Sequence, residues 1–397
     1  MKQVITGNSA TAYGAKLSRP GVISAYPITP QTTIVEYIAN FMADGELENT
    51  QYIKVESEHS AMASCISAGI AGSRVFTATS SHGLALMHEV LMWAAGARIP
   101  MVMVNVNRAM GPPWSVWADH QDSIAQRDTG WMQVFAENNQ EILDLVIQSY
   151  KIAENSDVML PNMITQDAFY LSHTVEPVDI PEQEAVDEFL PAYEPDHTVN
   201  IGKRQGFGSL VMPDNYMEFR YKMAKAMDDS RNIIKKTDAE FGKKFGRSYG
   251  GMMEFYKCED ADYVLLGAGT SVSTARQAVD ELRKEGKKVG IAKLRYFRPF
   301  PYEEVRKLAS MVKGIGVFER TFTFGHGGPF YNEVMGALYN DPAGSKPFIK
   351  NYILGLGGRD VKLDDVKDVF KNLEHETNNG ITEEVQWHGL LKPQEVK

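Results

Sequence analysis

Thr29, Glu58, His82 and Arg108 are the residues in this chain that could do chemistry together, because each stands in a short polar loop at the end of an apolar run. A hydroxyl, a carboxylate, an imidazole and a guanidinium in one place can hold an anionic substrate and manage a proton beside it. The runs are 22–26 into Pro27-Ile28-Thr29-Pro30, 52–55 into Glu56-Ser57-Glu58-His59, 75–79 into Ser80-Ser81-His82-Gly83, and 101–106 into Asn107-Arg108. Stretches of helical length, 32–41, 60–71 and 84–95, separate them. This alternation predicts an α/β unit with a parallel sheet and helices on its faces. Ligands of such sheets sit beyond the carboxyl ends of the strands, which places all of these residues at one edge. Glu58 is the sharpest of them. A carboxylate after a strand and at the start of a helix, under apolar groups, is placed for a strong functional hydrogen bond. Capping the helix or pairing with a lysine is the plainer alternative.

With 397 residues, the chain is long enough for two or three domains, and 43% apolar with 23% charged residues is an ordinary globular composition. A net charge of -10 makes nucleic acid and anionic membrane poor partners. No apolar run reaches the ~20 residues of a membrane-spanning helix, and the first residues lack a signal peptide's apolar stretch, so a cytoplasmic location is expected. Cys65 and Cys258 are the only cysteines. They exclude a four-cysteine cluster within the chain, so any iron–sulfur centre belongs to other chains.

Beyond Arg108 the run Ala109-Met110-Gly111-Pro112-Pro113-Trp114 is predicted to form a non-helical wall of the pocket. A helix over 140–154 and a buried strand over 158–165 return the chain to the sheet. Residues 175–200, rich in Glu, Asp and Pro, predict an extended connector, and 216–241 a long packing or interface helix. A second alternating unit follows. Its strands are predicted at 263–266, 289–295, 315–319 and 348–354, its helices at 273–285 and 302–311, and a polar tail is expected to serve as an arm or an interface element. The expected division is 1–255, with its core in 1–175, and 256–397.

Three motifs are weaker than they look. Gly267-Ala268-Gly269 lacks the third glycine of a dinucleotide fingerprint, since 272 is Val. Gly246-Arg247-Ser248-Tyr249-Gly250 has a hydrolase elbow's spacing but no apolar strand before it. His88 and Glu89 lack the second histidine of a zinc-protease helix, since 92 is Met, and no metal ligand is assigned to this chain. The glycines at 325–328 and 355–358 fit either ordinary turns or close approach of a backbone or phosphate.

Taken together, Tyr26-Pro27-Ile28-Thr29-Pro30, Val55-Glu56-Ser57-Glu58-His59, Thr79-Ser80-Ser81-His82-Gly83, Asn107-Arg108-Ala109, Gln126-Arg127-Asp128-Thr129-Gly130-Trp131, Arg298-Pro299-Phe300-Pro301 and Gly355-Leu356-Gly357-Gly358-Arg359-Asp360 carry a resemblance over nearly the whole chain. The chain resembles the α subunit of thiamine-diphosphate-dependent 2-oxoacid:ferredoxin oxidoreductases. The resemblance implies a parallel-sheet domain of the type that holds the aminopyrimidine of thiamine diphosphate, followed by a transketolase C-terminal-like α/β domain. It implies a β subunit that supplies the diphosphate and magnesium site, γ and δ subunits with iron–sulfur clusters, ferredoxin as acceptor and coenzyme A as co-substrate. Carried over by position, Glu58 hydrogen-bonds N1′ of the aminopyrimidine, with Tyr26, Pro27, Ile28 and His82 beside the cofactor. Thr29 and Arg108 hold the substrate carboxylate.

Pyruvate is the leading substrate on this resemblance. His82 stands where relatives acting on pyruvate commonly have Gln, and Gly111-Pro112-Pro113-Trp114 departs from the usual loop. Both departures point to a branched or aryl 2-oxo acid such as phenylglyoxylate as the alternative, with NAD as a possible final acceptor. A transketolase-like transferase half and a non-catalytic structural subunit are the rivals from other classes.

Overall fold

The alternation along the chain folds into two sheets. The computed structural model describes every residue except 201, 203, 204 and 392–397. The first unit runs β1 Lys2–Thr6, α1 Gly7–Leu17, β2 Val22–Ser24, α2 Thr32–Ala43, β3 Gln51–Ile53, α3 Glu58–Ile70, β4 Val75–Thr79, α4 Ser81–Leu86, α5 His88–Gly96, β5 Val102–Asn107, α6 Gln121–Ile124, β6 Met132–Phe135, α7 Asn139–Ala153, β7 Asn162–Asp167, β8 Val175–Asp179, α8 Gln183–Phe189 and α9 Pro213–Phe245. The second runs β9 Met253–Tyr256, β10 Tyr263–Gly267, α10 Ser271–Lys284, β11 Val289–Leu294, β12 Tyr296–Arg298, α11 Tyr302–Ala309, β13 Gly314–Glu319, α12 Pro329–Tyr339, β14 Phe348–Ile353, α13 Leu363–Asn379 and β15 Val385–Trp387.

In the first unit a seven-stranded sheet has the order β12-β6-β7-β5-β4-β2-β3. Its pairs are parallel except β12 with β6. Every residue of β4, β5 and β7 is buried, as expected of strands covered by helices on both faces. The second sheet, β15-β14-β13-β10-β11-β9, is parallel except for β9.

Several expectations are corrected. The stretch 84–95 is two helices, because the chain bends at Met87 between α4 and α5. Residues 175–200 are only partly an extended connector: β8 pairs antiparallel with β1, and α8 buries Val186 and Phe189. The C-terminal tail is not an arm. Val366, Val369, Phe370 and Leu373 recur at helical spacing along α13 and enter the core of the second unit, and β15 extends its sheet. The boundary at 255/256 falls inside β9, which belongs to the second sheet, while β12 returns to the first.

Charged side chains seal the contact between the units. Asp167, at the end of β7, accepts hydrogen bonds from His120 Nε2 at 2.6 Å, Arg320 Nη1 at 3.0 Å and the Thr270 backbone N–H at 3.0 Å. Glu141 on α7 meets Lys293 Nζ at 2.6 Å and Arg295 Nε at 3.0 Å, all three buried. Breaking one partner of such a pair would strand the other in a low dielectric. Gly358 allows a still closer approach, since a Cβ there would stand 2.1 Å from Trp117 Cβ, and its φ is 81°.

Candidate active site

Local chemistry fixes Glu58 first. Ser57 is extended and its hydroxyl accepts the Ser60 N–H at 3.2 Å, so Ser57 is the N-cap and Glu58 the first residue of α3. Glu58 therefore does not cap the helix, and it makes no ion pair among the described residues; it is only 7% exposed. Above it, β4 ends at Thr79 and α4 begins at Ser81; at Gly83, in the first turn of α4, a Cβ would stand 2.6 Å from both Glu58 Oε1 and Thr79 Oγ1. The Thr79 hydroxyl is buried without a partner. A carboxylate and a hydroxyl lacking donors, under a residue with no side chain, leave a polar floor that fits a flat nitrogen ring.

Arg108 follows β5 and is likewise buried at 7% exposure. Its Nη1 donates to the Thr29 carbonyl at 2.5 Å, its guanidinium stacks 5.2 Å from the Trp114 ring, and its Nε has no partner. No carboxylate pairs with the guanidinium among the described residues. Burial pushes the Arg108 pKa down, only partly countered by Asp122. An unpaired buried guanidinium is an anion site waiting for its anion. Thr29 meets it through the backbone carbonyl, and the residue is exposed.

His82 stands beside Arg108. Gly111 N–H donates to His82 Nε2 at 3.0 Å, and Nδ1 lies 3.3 Å from the Ser81 hydroxyl. Arg108 Nη2 also lies 3.3 Å from that Nδ1. Tyr26 and Pro27 are exposed at the mouth, and Ile28 is half-buried. His82, the 109–115 loop and Asp119 line a cavity of about 890 Å³ whose other wall is Phe322, Phe324 and Trp387 of the second unit. Burial pushes the Asp119 carboxyl up to about 6.

Sequence reasoning missed Asp122. Its carboxylate accepts the N–H groups of Ser81 at 2.9 Å, Arg108 at 3.1 Å and Ser123 at 2.7 Å, and the Asn107 amide at 2.7 Å. One buried carboxylate thus holds the loops after β4 and β5 in register. Burial raises its pKa, while these donors favour the anion. Nothing in the local pattern marked it, because its partners are distant in sequence. The Gln126–Trp131 motif is support: Gln126 meets His88 Nδ1 at 2.5 Å, and buried Trp131 donates to the Leu91 carbonyl at 2.9 Å. Both contacts hold α5. Ser248 donates to Asp238 at 2.7 Å, a structural bond. No cluster of three or more His, Cys, Asp or Glu suited to a metal occurs among the described residues.

The fold is an α/β architecture with Glu58, Thr79 and Arg108 gathered at the carboxyl edge of a parallel sheet. Residues 13–239 match the family described as pyruvate flavodoxin/ferredoxin oxidoreductase, thiamine diphosphate-binding, and residues 261–366 match pyruvate:ferredoxin oxidoreductase core domain II. The chain is 54% identical over 99% of both chains to the ketoisovalerate oxidoreductase subunit VorA of Pyrococcus horikoshii. It is 48% identical to the pyruvate synthase subunit PorA of Methanothermobacter thermautotrophicus, again over 99% of both. In fold it is similar to a 2-oxoglutarate:ferredoxin oxidoreductase from Magnetococcus marinus, with TM-score 0.70 and 18% identity, over 95% of this chain and 65% of that one. The chain belongs to the pyruvate flavodoxin/ferredoxin oxidoreductase family. No described helix is long and apolar enough to cross a membrane.

Proposed function

We propose that this chain is the α subunit of a 2-oxoacid oxidoreductase, which with a β partner converts a 2-oxo acid and coenzyme A to acyl-CoA and CO2. The electrons released pass through iron–sulfur clusters on γ and δ subunits to ferredoxin. The observation that carries this reading is the presence, on one sheet edge, of two buried charged groups that make no ion pair among the described residues, the Glu58 carboxylate and the Arg108 guanidinium. Thiamine diphosphate, when bound, supplies the nucleophilic carbon and the electron sink.

This chain's own residues do the rest. Glu58 holds a proton at N1′ of the aminopyrimidine, with Gly83 leaving room for the ring and Tyr26, Pro27, Ile28 and His82 around it. Arg108 and the Thr29 hydroxyl bind the substrate carboxylate and orient the 2-oxo carbon. The wall of Met110, Pro112, Pro113 and Trp114 presents an apolar face to the substrate's side chain. The diphosphate and magnesium are assigned to the β partner. The reading as two working units is kept with its boundary moved ahead of β9, so that Met253–Tyr256 belongs to the second, and a cytoplasmic location is consistent with two buried free thiols.

The substrate's side chain faces an apolar wall. Pyruvate is one candidate; the apolar wall and the greater identity to the ketoisovalerate oxidoreductase subunit favour a branched acid. In the complete complex, Glu58→Gln should lower CoA-dependent viologen reduction by about 10²-fold or more with assembly intact. Unchanged turnover would refute the catalytic role. A panel of pyruvate, 2-oxoisovalerate, 2-oxoglutarate and phenylglyoxylate identifies the acid, and activity with none of them would favour the transferase reading.

A further inference from the structure

The loop that faces the substrate springs from the first unit but is held by the second. Residues 109–117 form a loop closed at its base, where the Ala109 N–H donates to the Trp117 carbonyl at 3.1 Å. Pro112, Pro113 and Trp114 at its tip are exposed, so no core holds them and the two legs set where they stand. One leg is tied to the first unit: the Arg108 N–H donates to Asp122 at 3.1 Å and the Gly111 N–H to His82 Nε2 at 3.0 Å. The other leg is tied across the boundary between the units. Ser115 Oγ donates to the Gly357 carbonyl at 3.1 Å, the Gly358 N–H to the Ala118 carbonyl at 2.9 Å, and the His120 N–H to the Arg320 carbonyl at 2.9 Å.

Trp117 makes that second tie sensitive to a single atom. Its ring packs on Phe169 at 4.5 Å, while the neighbouring Tyr170 hydroxyl donates to the Gly358 carbonyl at 2.8 Å. A Cβ at Gly358 would stand 2.1 Å from Trp117 Cβ. Carbons in contact lie about 3.5–4.0 Å apart, so a side chain at 358 has to push this leg by more than about 1 Å. The clash is with the root of the tryptophan, not with the end of a flexible chain, and the backbone of the leg must yield. The second unit also supplies the facing side of the cavity, through Phe322, Phe324 and Trp387, and Gly357 lines it too. Both sides of the gap are therefore referred to one body, and their separation depends on the turn at 357–358.

We propose that the Gly357-Gly358 turn is a positioning element for substrate selection: by holding 115–118 it sets where Trp114 stands over Arg108, and so which 2-oxo acid side chains fit. This rests on the proposed function, in which Arg108 holds the substrate carboxylate and the loop faces the rest of the molecule.

In the complete complex, Gly358→Ala is compared with Gly286→Ala, which carries similar backbone strain, at φ 83°, with open space around its Cβ. The ratio of kcat/KM for 2-oxoisovalerate to that for pyruvate should change by at least about tenfold in Gly358→Ala, mainly through KM, and by less than about twofold in the control. Thiamine diphosphate affinity should not move, because Glu58 and Gly83 make no contact with the turn. Hydrogen exchange of the full α chain reads the clamp without turnover: amides of 109–119 should exchange at least about tenfold faster in Gly358→Ala, with those of 81–96 unchanged. Ser115→Ala removes the bond to Gly357 without a clash and covers the case of a Gly358→Ala chain that does not fold; the same ratio and the same exchange should shift by about threefold. An equal fall in kcat/KM for both acids marks a merely structural role and overturns the inference, as does unchanged exchange over 109–119. Failure of the proposed function looks different: a wild-type complex that turns over no 2-oxo acid, whatever the exchange shows.

Discussion

Arg108→Met separates a residue kept for a substrate from one kept for the fold. In the free chain the guanidinium has one good acceptor, the Thr29 carbonyl at 2.5 Å, and a stacking contact with Trp114 at 5.2 Å. Its backbone N–H bond to Asp122 survives any side-chain change. Losing a charge-assisted bond costs about 1.5–3 kcal/mol, and removing a buried cation without a carboxylate returns a comparable amount. The methionine also retains most of the apolar stem. Net stability should therefore change by about 1 kcal/mol or less, a melting shift of a few degrees at most.

Binding of substrate gives a different balance. Two charge-assisted bonds to a carboxylate are worth about 3–6 kcal/mol, so kcat/KM should fall by about 10²–10⁴. The assay pairs CoA-dependent viologen reduction by the assembled complex with thermal melting of the isolated chain. A large drop in melting temperature with kcat/KM unchanged would show that Arg108 holds the fold, and the assignment of the anion pocket would fail.

Three further outcomes follow from the same geometry. Gly83→Ala drives a methyl to 2.6 Å from Glu58 Oε1 and Thr79 Oγ1, so thiamine diphosphate binding should weaken at least about tenfold, at a stability cost of about 1–3 kcal/mol; calorimetric titration of the α–β complex checks it, and unchanged affinity would remove Glu58 from the cofactor site. Asp122→Asn turns an amide toward donors, and although the unpartnered Asn107 Oδ1 can rotate to accept one new bond, stability should fall by about 2 kcal/mol and kcat/KM by more than that implies. Denaturant unfolding alongside kinetics tests this, and wild-type values for both would refute the stapling role. Burial pushes the Glu319 carboxyl up to about 8, although the N–H groups of Phe330 and Tyr331 and the Asn351 amide favour its anion. The native state holds that proton after the unfolded chain has lost it near 4.5. Glu319's contribution is therefore complete below pH 4.5, declines as pH rises to 8 and is flat above, a span on the order of 4–5 kcal/mol. The stability of Glu319→Gln relative to wild type should rise with pH across that window, and a pH-independent difference would sink the assignment.

The sequence by itself determined the strand–helix alternation and the edge where Thr29, Glu58, His82 and Arg108 meet. Runs buried on both faces, such as Val75–Thr79, are continuous in apolar character and end in polar loops, so strand and site are visible together. Short edge strands were less legible, because β3 spans three residues and alternates exposed and half-buried positions. The helix of the tail was hidden by its mean polarity, although Val366, Val369, Phe370 and Leu373 kept helical spacing. Only the tertiary structure decided that β12 returns to the first sheet, that Asp122 joins two loops, and that Glu58 and Arg108 are buried with no oppositely charged partner among the described residues. Partnering is a long-range property: the groups that might have satisfied those charges are distant in sequence, and local pattern is silent about which of them arrive.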